Sequence, residues 1–275
     1  MTDASTATSQ EVDLGAGDRI TVTWAGRTDI GRRRDSNQDS FLAEFPLFVV
    51  ADGMGGHAGG EVASRRTVAR LHAAVKAGAL SASAIEQAID KAVGDIRDHP
   101  ETTDEGTGTT LTGVYLDVQA SADEGEKATA RWVSMNIGDS RVYLQRDQAM
   151  TQVTTDHSVV QELMAAGRLS PEEAEGHPYA NVITRAVGVS EQAPPDYREF
   201  AVHDGDRFVI CSDGLTKELT DYGIQHFLNE NADPAAAVDA MMTAALENGG
   251  RDNVTVIVVN VARVDESSPA GPVLD

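Results

Sequence analysis

The sequence predicts an α+β protein in which antiparallel sheets are flanked by helices. Three observations lead there. Apolar stretches of strand length come in closely spaced pairs, as hairpins do. The helical patterns come two at a time. The order runs strands, two helices, strands, two helices, one strand, which is not the alternation of a parallel sheet. The 275 residues suit one large domain or two small ones.

Residues 19–26, RITVTWAG, alternate as a strand does, and strands at 40–45 and 47–51 form a hairpin about Pro46. Residues 60–77 carry Val62, Val68, Leu71 and Val75 at helical spacing. A second helix is expected over 83–98, with Ser83 and Glu86 as its capping box. After a loop at 99–108, strands are expected at 109–118, 129–137, 140–145 and 149–153, and the insert 119–127 reads as an acidic hairpin loop. Residues 154–192 break the pattern. Short helical pieces at Val159–Ala166 and Pro171–Ala174 sit in irregular chain, as in a lid that leaves the sheet. Strands resume at 197–202 and 207–212 about the turn HDGD, and helices follow near 221–229 and 234–247. Val254–Val261 is continuously apolar, as a strand buried on both faces would be. Residues 1–18 and 264–275 read as flexible tails around a domain at 19–263.

Composition narrows the partners. A hydrophobic content of 41% supports a real core, and no run of about 18 apolar residues offers a membrane span. The N-terminus has neither a basic start nor an apolar segment, so no secretory signal is expected and the cytoplasm is the expected location. A net charge of −22 repels nucleic-acid phosphates and anionic membranes, and neither is an expected partner. The single cysteine, Cys211, cannot form an internal disulfide and suits a reducing compartment.

The chemistry concentrates where strands end. Four apolar stretches stop on an aspartate followed by a small or polar residue: VVAD-Gly at Asp52, NIGD-Ser at Asp139, VICSD-Gly at Asp213. The fourth, GGRD-Asn at Asp252, precedes the last strand. Each alone is an ordinary turn sequence. Together they place carboxylates where burial is costly unless cations compensate, and Asp oxygens with backbone carbonyls suit Mg²⁺ or Mn²⁺. Gly53 would let its carbonyl reach the same ion. Arg32, Arg33 and Arg34 stand together just ahead of Asp39 in an otherwise acidic chain. A planar guanidinium matches two phosphate oxygens, whereas a salt-bridged strand end is the plainer reading of Arg32 and Arg33.

Taken in order, the segments GRRRDSNQD, VVADGMGGHAGGEVAS, GTTLT, NIGDSRVYL, the DHS of Asp156–Ser158, VICSDGL and RDNVTVIVV resemble the metal-dependent PPM protein phosphatases, the type 2C serine/threonine family, in its compact bacterial branch. The likeness covers about residues 20–262. It implies a four-layer α-β-β-α sandwich, two antiparallel sheets with a helix pair outside each. It implies two core Mn²⁺ or Mg²⁺ ions and a third, weaker one. By motif, Asp52 bridges the core pair, the Gly53 carbonyl binds the second ion, and Asp213 and Asp252 hold the first. Asp139 shares the third with Asp213. Arg34 binds the substrate phosphate and Asp39 orients metal-bound water, while Gln38 replaces a glutamate common in the family. Residues from about 155 to 192 correspond to the family's flap, which influences substrate choice. The implied reaction is hydrolysis of phosphoserine and phosphothreonine on proteins by direct attack of a metal-bridging hydroxide, without a phosphoenzyme. The expected partners are phosphoproteins, a serine/threonine kinase or its substrates, met by a monomer. His57 is a candidate general acid. His157 is another, although a surface histidine is the simpler reading.

Other readings are weaker. Gly53, Gly55 and Ala58 satisfy G-x-G-x-x-A, but two helices follow where a dinucleotide fold needs a strand. Cys211 lacks the arginine of a cysteine-phosphatase loop, since Lys217 follows it six positions on. Asp204 and Asp206 have the spacing of an aspartyl phosphatase but lie in a turn between strands. A regulatory pseudophosphatase on the same fold is the remaining alternative.

Overall fold

The computed structural model describes residues 5–55, 58–78, 80–99, 101–102, 106–119, 128–189 and 194–264. Thr8–Asp13 (β1) and Arg19–Asp29 (β2) form one hairpin, and Asp39–Glu44 (β3) and Leu47–Met54 (β4) form a second that turns at a cis Phe45–Pro46 bond. Two helices follow, Gly59–Lys76 (α1) and Ala82–Arg97 (α2). Next come the short Gly108–Thr109 (β5), then Leu111–Gln119 (β6), Thr129–Ile137 (β7), Arg141–Arg146 (β8) and Ala149–Gln152 (β9). The excursion holds Val159–Ala165 (α3) and Pro171–Glu175 (α4). The chain closes with Asp196–Ala201 (β10), Arg207–Cys211 (β11), Asp213–Thr216 (α5), Asp221–Glu230 (α6), Pro234–Asn248 (α7) and Val254–Arg263 (β12).

The strands build two antiparallel sheets, ordered β1-β2-β12-β11-β8-β9 and β10-β7-β6-β4-β3, with β5 beside β4. The alternation of side chains along a strand explains the layering. On β12, Ile257, Val259 and Val261 face the other sheet, while Val254, Val256 and Val258 pack with α7 residues such as Val238 and Met241. On β4, Phe48 and Val50 point between the sheets, while Leu47 and Val49 pack with Leu71 of α1 and Ile85 of α2. The result is the expected α-β-β-α sandwich. Aromatic rings cross its interior in sequence: Trp24 to Phe48 at 5.3 Å between centroids, Phe48 to Trp132 at 6.3 Å, and Trp132 to Phe208 at 5.1 Å. Because Trp24 and Phe208 belong to one sheet and Phe48 and Trp132 to the other, this contact locks the two together. Burying each such ring contributes roughly 1.5–3 kcal/mol. The strand ends at one edge of the sandwich are thereby brought to fixed mutual positions.

Several expectations change. Residues 1–18 are not simply a tail. Thr8–Asp13 pairs along β2 from Thr8↔Trp24 to Asp13↔Arg19, and Leu14 is buried. The segment is mostly exposed and lacks a strand's apolar alternation, so the ladder hydrogen bonds of an edge strand, not side-chain pattern, make it. The capping box at Ser83 and Glu86 is not formed. Ser81 caps α2 instead, its hydroxyl accepting from the Ala84 N–H, while a capping box does form at Ser170 and Glu173 of α4. The short β5 and α5 went unforeseen. Residues 120–127 of the acidic insert and 265–275 lie outside the described residues. Among the described residues no helix is long and apolar enough to cross a membrane.

Candidate metal centre

Both sheets deliver carboxylates to the same edge. Asp39 and Asp52 are cross-strand partners on β3 and β4. Asp139 lies in the turn from β7 to β8, which passes the chain from one sheet to the other. Asp213 follows β11 and Asp252 precedes β12, at the common end of that ladder, where Cys211 pairs with Val256. Asp52, Gly53, Asp139, Asp213 and Asp252 line one cleft of about 720 Å³ together with Arg33, Arg34, Gln38, Lys217 and, from the excursion, Asn181, Val182 and Ile183. Asp39 is not part of the cleft wall. It is buried beside Asp52, its cross-strand partner.

The flanking residues of each motif hold these acids in place. The Asp52 N–H donates to Thr110 Oγ1 at 3.0 Å, and the Asp52 carbonyl accepts from the Thr109 hydroxyl at 2.9 Å and the Thr110 N–H at 2.8 Å. Thr110 Oγ1 in turn lies 2.8 Å from Ser140 Oγ, which ties the Asp52 strand to the Asp139 turn. Asp39 Oδ2 accepts from Ser212 Oγ at 2.8 Å and Thr255 Oγ1 at 2.6 Å, binding β3 to the Asp213 and Asp252 segments of the other sheet. Asn253 donates to the carbonyls of Ile30 and Ser36 and accepts from the Gln38 N–H, so the arginine loop is fastened to Asp252. Two glycines are required by close approach. A Cβ on Gly53 would lie 2.2 Å from the Gly60 carbonyl oxygen, and one on Gly214 would lie 1.8 Å from that of Asn253. Ser212, Asn253, Thr255, Thr110 and Ser140 were not singled out from sequence. Each lies in a segment quoted above (GTTLT, NIGDSRVYL, VICSDGL or RDNVTVIVV), and only Ser140, Ser212 and Asn253 stand directly beside an Asp.

The electrostatics are those of crowded acids. Burial first, with the charges of Asp213 and Asp252, pushes Asp39 up to about 7 against the two hydroxyl donors. Burial and then the charge of Asp213 push Asp139 up to about 7. Asp52 is raised well above the usual carboxylate range, by burial first and then by Asp39, Asp213, Asp139 and Asp252. Asp252 goes the other way. Burial would raise it, but Lys217 and Arg34 outweigh that and hold it low.

Those two cations stand among the acids. Arg34 meets Asp252 in a fork, Nε to Oδ1 at 2.8 Å and an Nη to Oδ2 at 2.8 Å. Lys217 Nζ lies 2.6 Å from Asp213 Oδ2 and 3.0 Å from Asp252 Oδ2. With them in place, no three His, Cys, Asp or Glu side chains among the described residues are closed into a ready ligand set. The donor chemistry nevertheless fits a hard cation. All the side-chain donors are carboxylate oxygens, and two buried ones, Asp39 Oδ1 and Asp213 Oδ1, have no hydrogen-bond partner. A buried carboxylate oxygen without a donor marks a missing positive partner.

The other candidates sort clearly. Arg32 is structural, its Nε donating to the Leu246 carbonyl. His157 is buried, not a surface histidine, and is not among the residues that line the cleft. Its Nδ1 accepts from the Gly138 N–H and its Nε2 lies 3.1 Å from Asp196. His57 lies outside the described residues. Cys211 is fully buried and its thiol is pushed up to about 12 by burial, so it is a packing residue. Asp206 is fully buried and forked by Arg146, which removes it from any catalytic reading.

Comparison with known proteins supplies the family. The family model of protein phosphatase 2C matches residues 28–248, and the chain belongs to that family. It is 36% identical over 262 residues to the serine/threonine protein phosphatase PstP of Mycobacterium tuberculosis, covering 90% of this chain and 46% of the relative. The chain thus spans about half the length of that relative. It is 34% identical over 246 residues to the serine/threonine phosphatase stp of Listeria innocua, covering 85% of this chain and 93% of the relative. A solved structure of the PstP catalytic domain in complex with 2 manganese ions superposes with a TM-score of 0.74 at 34% identity, covering 88% of this chain and 99% of that one.

The raised acids carry a pH signature in metal-free protein. An acid whose folded pKa lies above its unfolded value of about 3.9 binds its proton more tightly when folded, so stability falls as pH rises from about 4 through the folded value. For Asp139 and Asp39 that window ends near 7. Chelator-treated protein should therefore lose about 1–3 kcal/mol of unfolding free energy between pH 5 and pH 8. Asp139→Asn should flatten part of that slope. Urea melts at the two pH values check it, and a flat or rising profile would contradict the assigned crowding. Asp252, held low, affects only more acidic pH.

Proposed function

We propose that this chain is a protein phosphatase that hydrolyses phosphoserine and phosphothreonine on proteins with Mn²⁺ or Mg²⁺. The observation that carries the reading is the convergence of Asp52, Asp139, Asp213 and Asp252 on one cleft with Arg34 at its wall. The name of the Mycobacterium relative and the manganese in the PstP structure support it. On this reading Asp52, the Gly53 carbonyl, Asp213 and Asp252 would hold two core ions, and Asp139 with Asp213 would hold a third, weaker one. When bound, the cations supply an activated water and a sink for phosphoryl charge.

The chain's own groups do the rest. Arg34, half-exposed and already forked onto a carboxylate, has the geometry to turn the same fork onto two phosphoryl oxygens. Asp39, fixed by Ser212 and Thr255 and paired across the strands with Asp52, has an unpartnered Oδ1 with which it would orient water. Asn181, Val182 and Ile183 bring the excursion to the cleft wall, so this flap would bear on the peptide around the phosphate. Phosphoproteins are the substrates, a serine/threonine kinase or its targets among them, and the chain acts in the cytoplasm as a monomer.

The pseudophosphatase reading draws on one observation, the Lys217 ammonium seated between Asp213 and Asp252. Hydrolysis of an aryl phosphate decides between the two. Metal-loaded protein should turn over and chelated protein should not, whereas absence of turnover with saturating Mn²⁺ would leave only the regulatory role. Arg34→Ala should lower kcat/KM by about 10–100-fold, chiefly through KM, as expected for losing a charge-assisted fork of roughly 1.5–3 kcal/mol. An unchanged KM would remove Arg34 from phosphate binding.

A further inference from the structure

Lys217 stands among the acids of this centre, and the pattern of strand-end aspartates does not account for it. Its position is fixed from several sides. It caps α5, its N–H donating to the Asp213 carbonyl at 2.8 Å. Its own carbonyl accepts from an Nη of Arg251 at 2.9 Å. Arg251 is held in turn by the buried carboxylate of Glu218, which takes both the Arg251 N–H and Nε. The backbones of residues 217–218 and 251–252 are therefore clamped to each other. From that fixed backbone the Lys217 stem reaches over the two acids and places its ammonium between them.

The acids are unevenly filled as a result. Asp252 has both oxygens engaged: Oδ1 by Arg34 Nε and the Asn253 N–H, Oδ2 by Arg34 and Lys217. Asp213 gives Oδ2 to Lys217, while its buried Oδ1 has no partner. An ion entering here finds one open oxygen on Asp213 and a saturated Asp252. It must also come within about 2.0–2.2 Å of oxygens that an ammonium already contacts. Asp252 Oδ2 already takes both Arg34 and Lys217, and an ammonium seated there repels an incoming divalent ion, so binding at the pair favours displacing it. A flexible four-carbon stem lets the ammonium withdraw into the cleft that it lines, a movement the planar fork of an arginine makes less readily.

We infer that Lys217 is a tethered cation that occupies the Asp213–Asp252 pair in the metal-free chain and is displaced when a divalent ion binds there, so that it sets the affinity of that position. The inference rests on the reading of Asp213 and Asp252 as ion ligands. It makes the pair permanently neutralised, by the lysine or by the metal, and it makes ion binding an exchange of one cation for another.

The test is titration of chelator-stripped protein with Mn²⁺ by calorimetry, for the wild type, Lys217→Gln and Lys217→Arg. Removing the charge with a polar, slightly shorter side chain should tighten binding of the first ion by about tenfold or more, since the competing ammonium is gone. The arginine variant keeps the charge and should not bind more tightly than wild type. Without metal, Lys217→Gln should melt below wild type, and its gain on adding Mn²⁺ should be larger. Should Lys217→Gln fail to fold without metal, amine labelling of wild-type protein gives the same answer. Modification of Lys217, read by mass spectrometry against the exposed Lys76, should rise several-fold when Mg²⁺ is added. Unchanged or weaker Mn²⁺ affinity in Lys217→Gln, or labelling indifferent to Mg²⁺, overturns the inference and leaves the metal centre standing. Absence of Mn²⁺ binding in both wild type and variant overturns the metal centre and the inference with it.

Discussion

The rest of the structure depends on a repulsion that the fold enforces. Five carboxylates are pressed to one edge of a closely packed sandwich, with Asp39 and Asp52 directly opposite each other on neighbouring strands. Two like charges about 5 Å apart repel by roughly 3 kcal/mol at an effective dielectric of 20, before any cost of burial. The sandwich interior supplies the opposing force. The aromatic row from Trp24 to Phe208 and the doubly buried β12 fix the sheets against each other, so the strand ends cannot splay to relieve the charge. The hydroxyls and amides beside the acids then set where each oxygen points. Folding energy from the core is in this way converted into a site that demands positive charge.

Two kinds of positive charge are within reach. The side chains Lys217 and Arg34 answer part of the demand, and they leave Asp39 Oδ1 and Asp213 Oδ1 without partners. Divalent ions, on the proposed reading, answer all of it. The chain is then a molecule with two neutralised forms, and the clamp of Arg251 on Lys217 and Glu218 keeps the switch between them local. On the same reading Arg34 takes part in both forms: it is spent on Asp252 in the metal-free chain and would be free for phosphate once ions bind, which would couple ion entry to readiness for substrate.

Much of this was legible in the sequence because strand-end aspartates leave a simple mark. A run such as VVAD or VICSD needs only hydropathy and one acidic residue to be seen, and β12 announced itself by being apolar without alternation. What escaped has physical reasons. β1 is held by backbone pairing on an exposed edge, where side chains carry no signal. Ser81 displaced Ser83 as the cap of α2 because two serines compete and only the path of the preceding chain decides. His157 looked like a surface residue, yet it is buried because the Gly138 N–H and Asp196, distant in sequence, converge on its two nitrogens. Lys217 was visible only as a missing arginine. Its meaning depends on Glu218 and Arg251, 33 positions apart, meeting in three dimensions.

The most direct test of the central claim is anomalous diffraction at the manganese edge from crystals grown with Mn²⁺. The account predicts two strong peaks on either side of the Asp52 carboxylate, one of them within coordination distance of Asp213 and Asp252, with the Lys217 ammonium moved away from both. A map with no peak in this cleft, or with Lys217 still seated on Asp213 and Asp252 at saturating Mn²⁺, would contradict it.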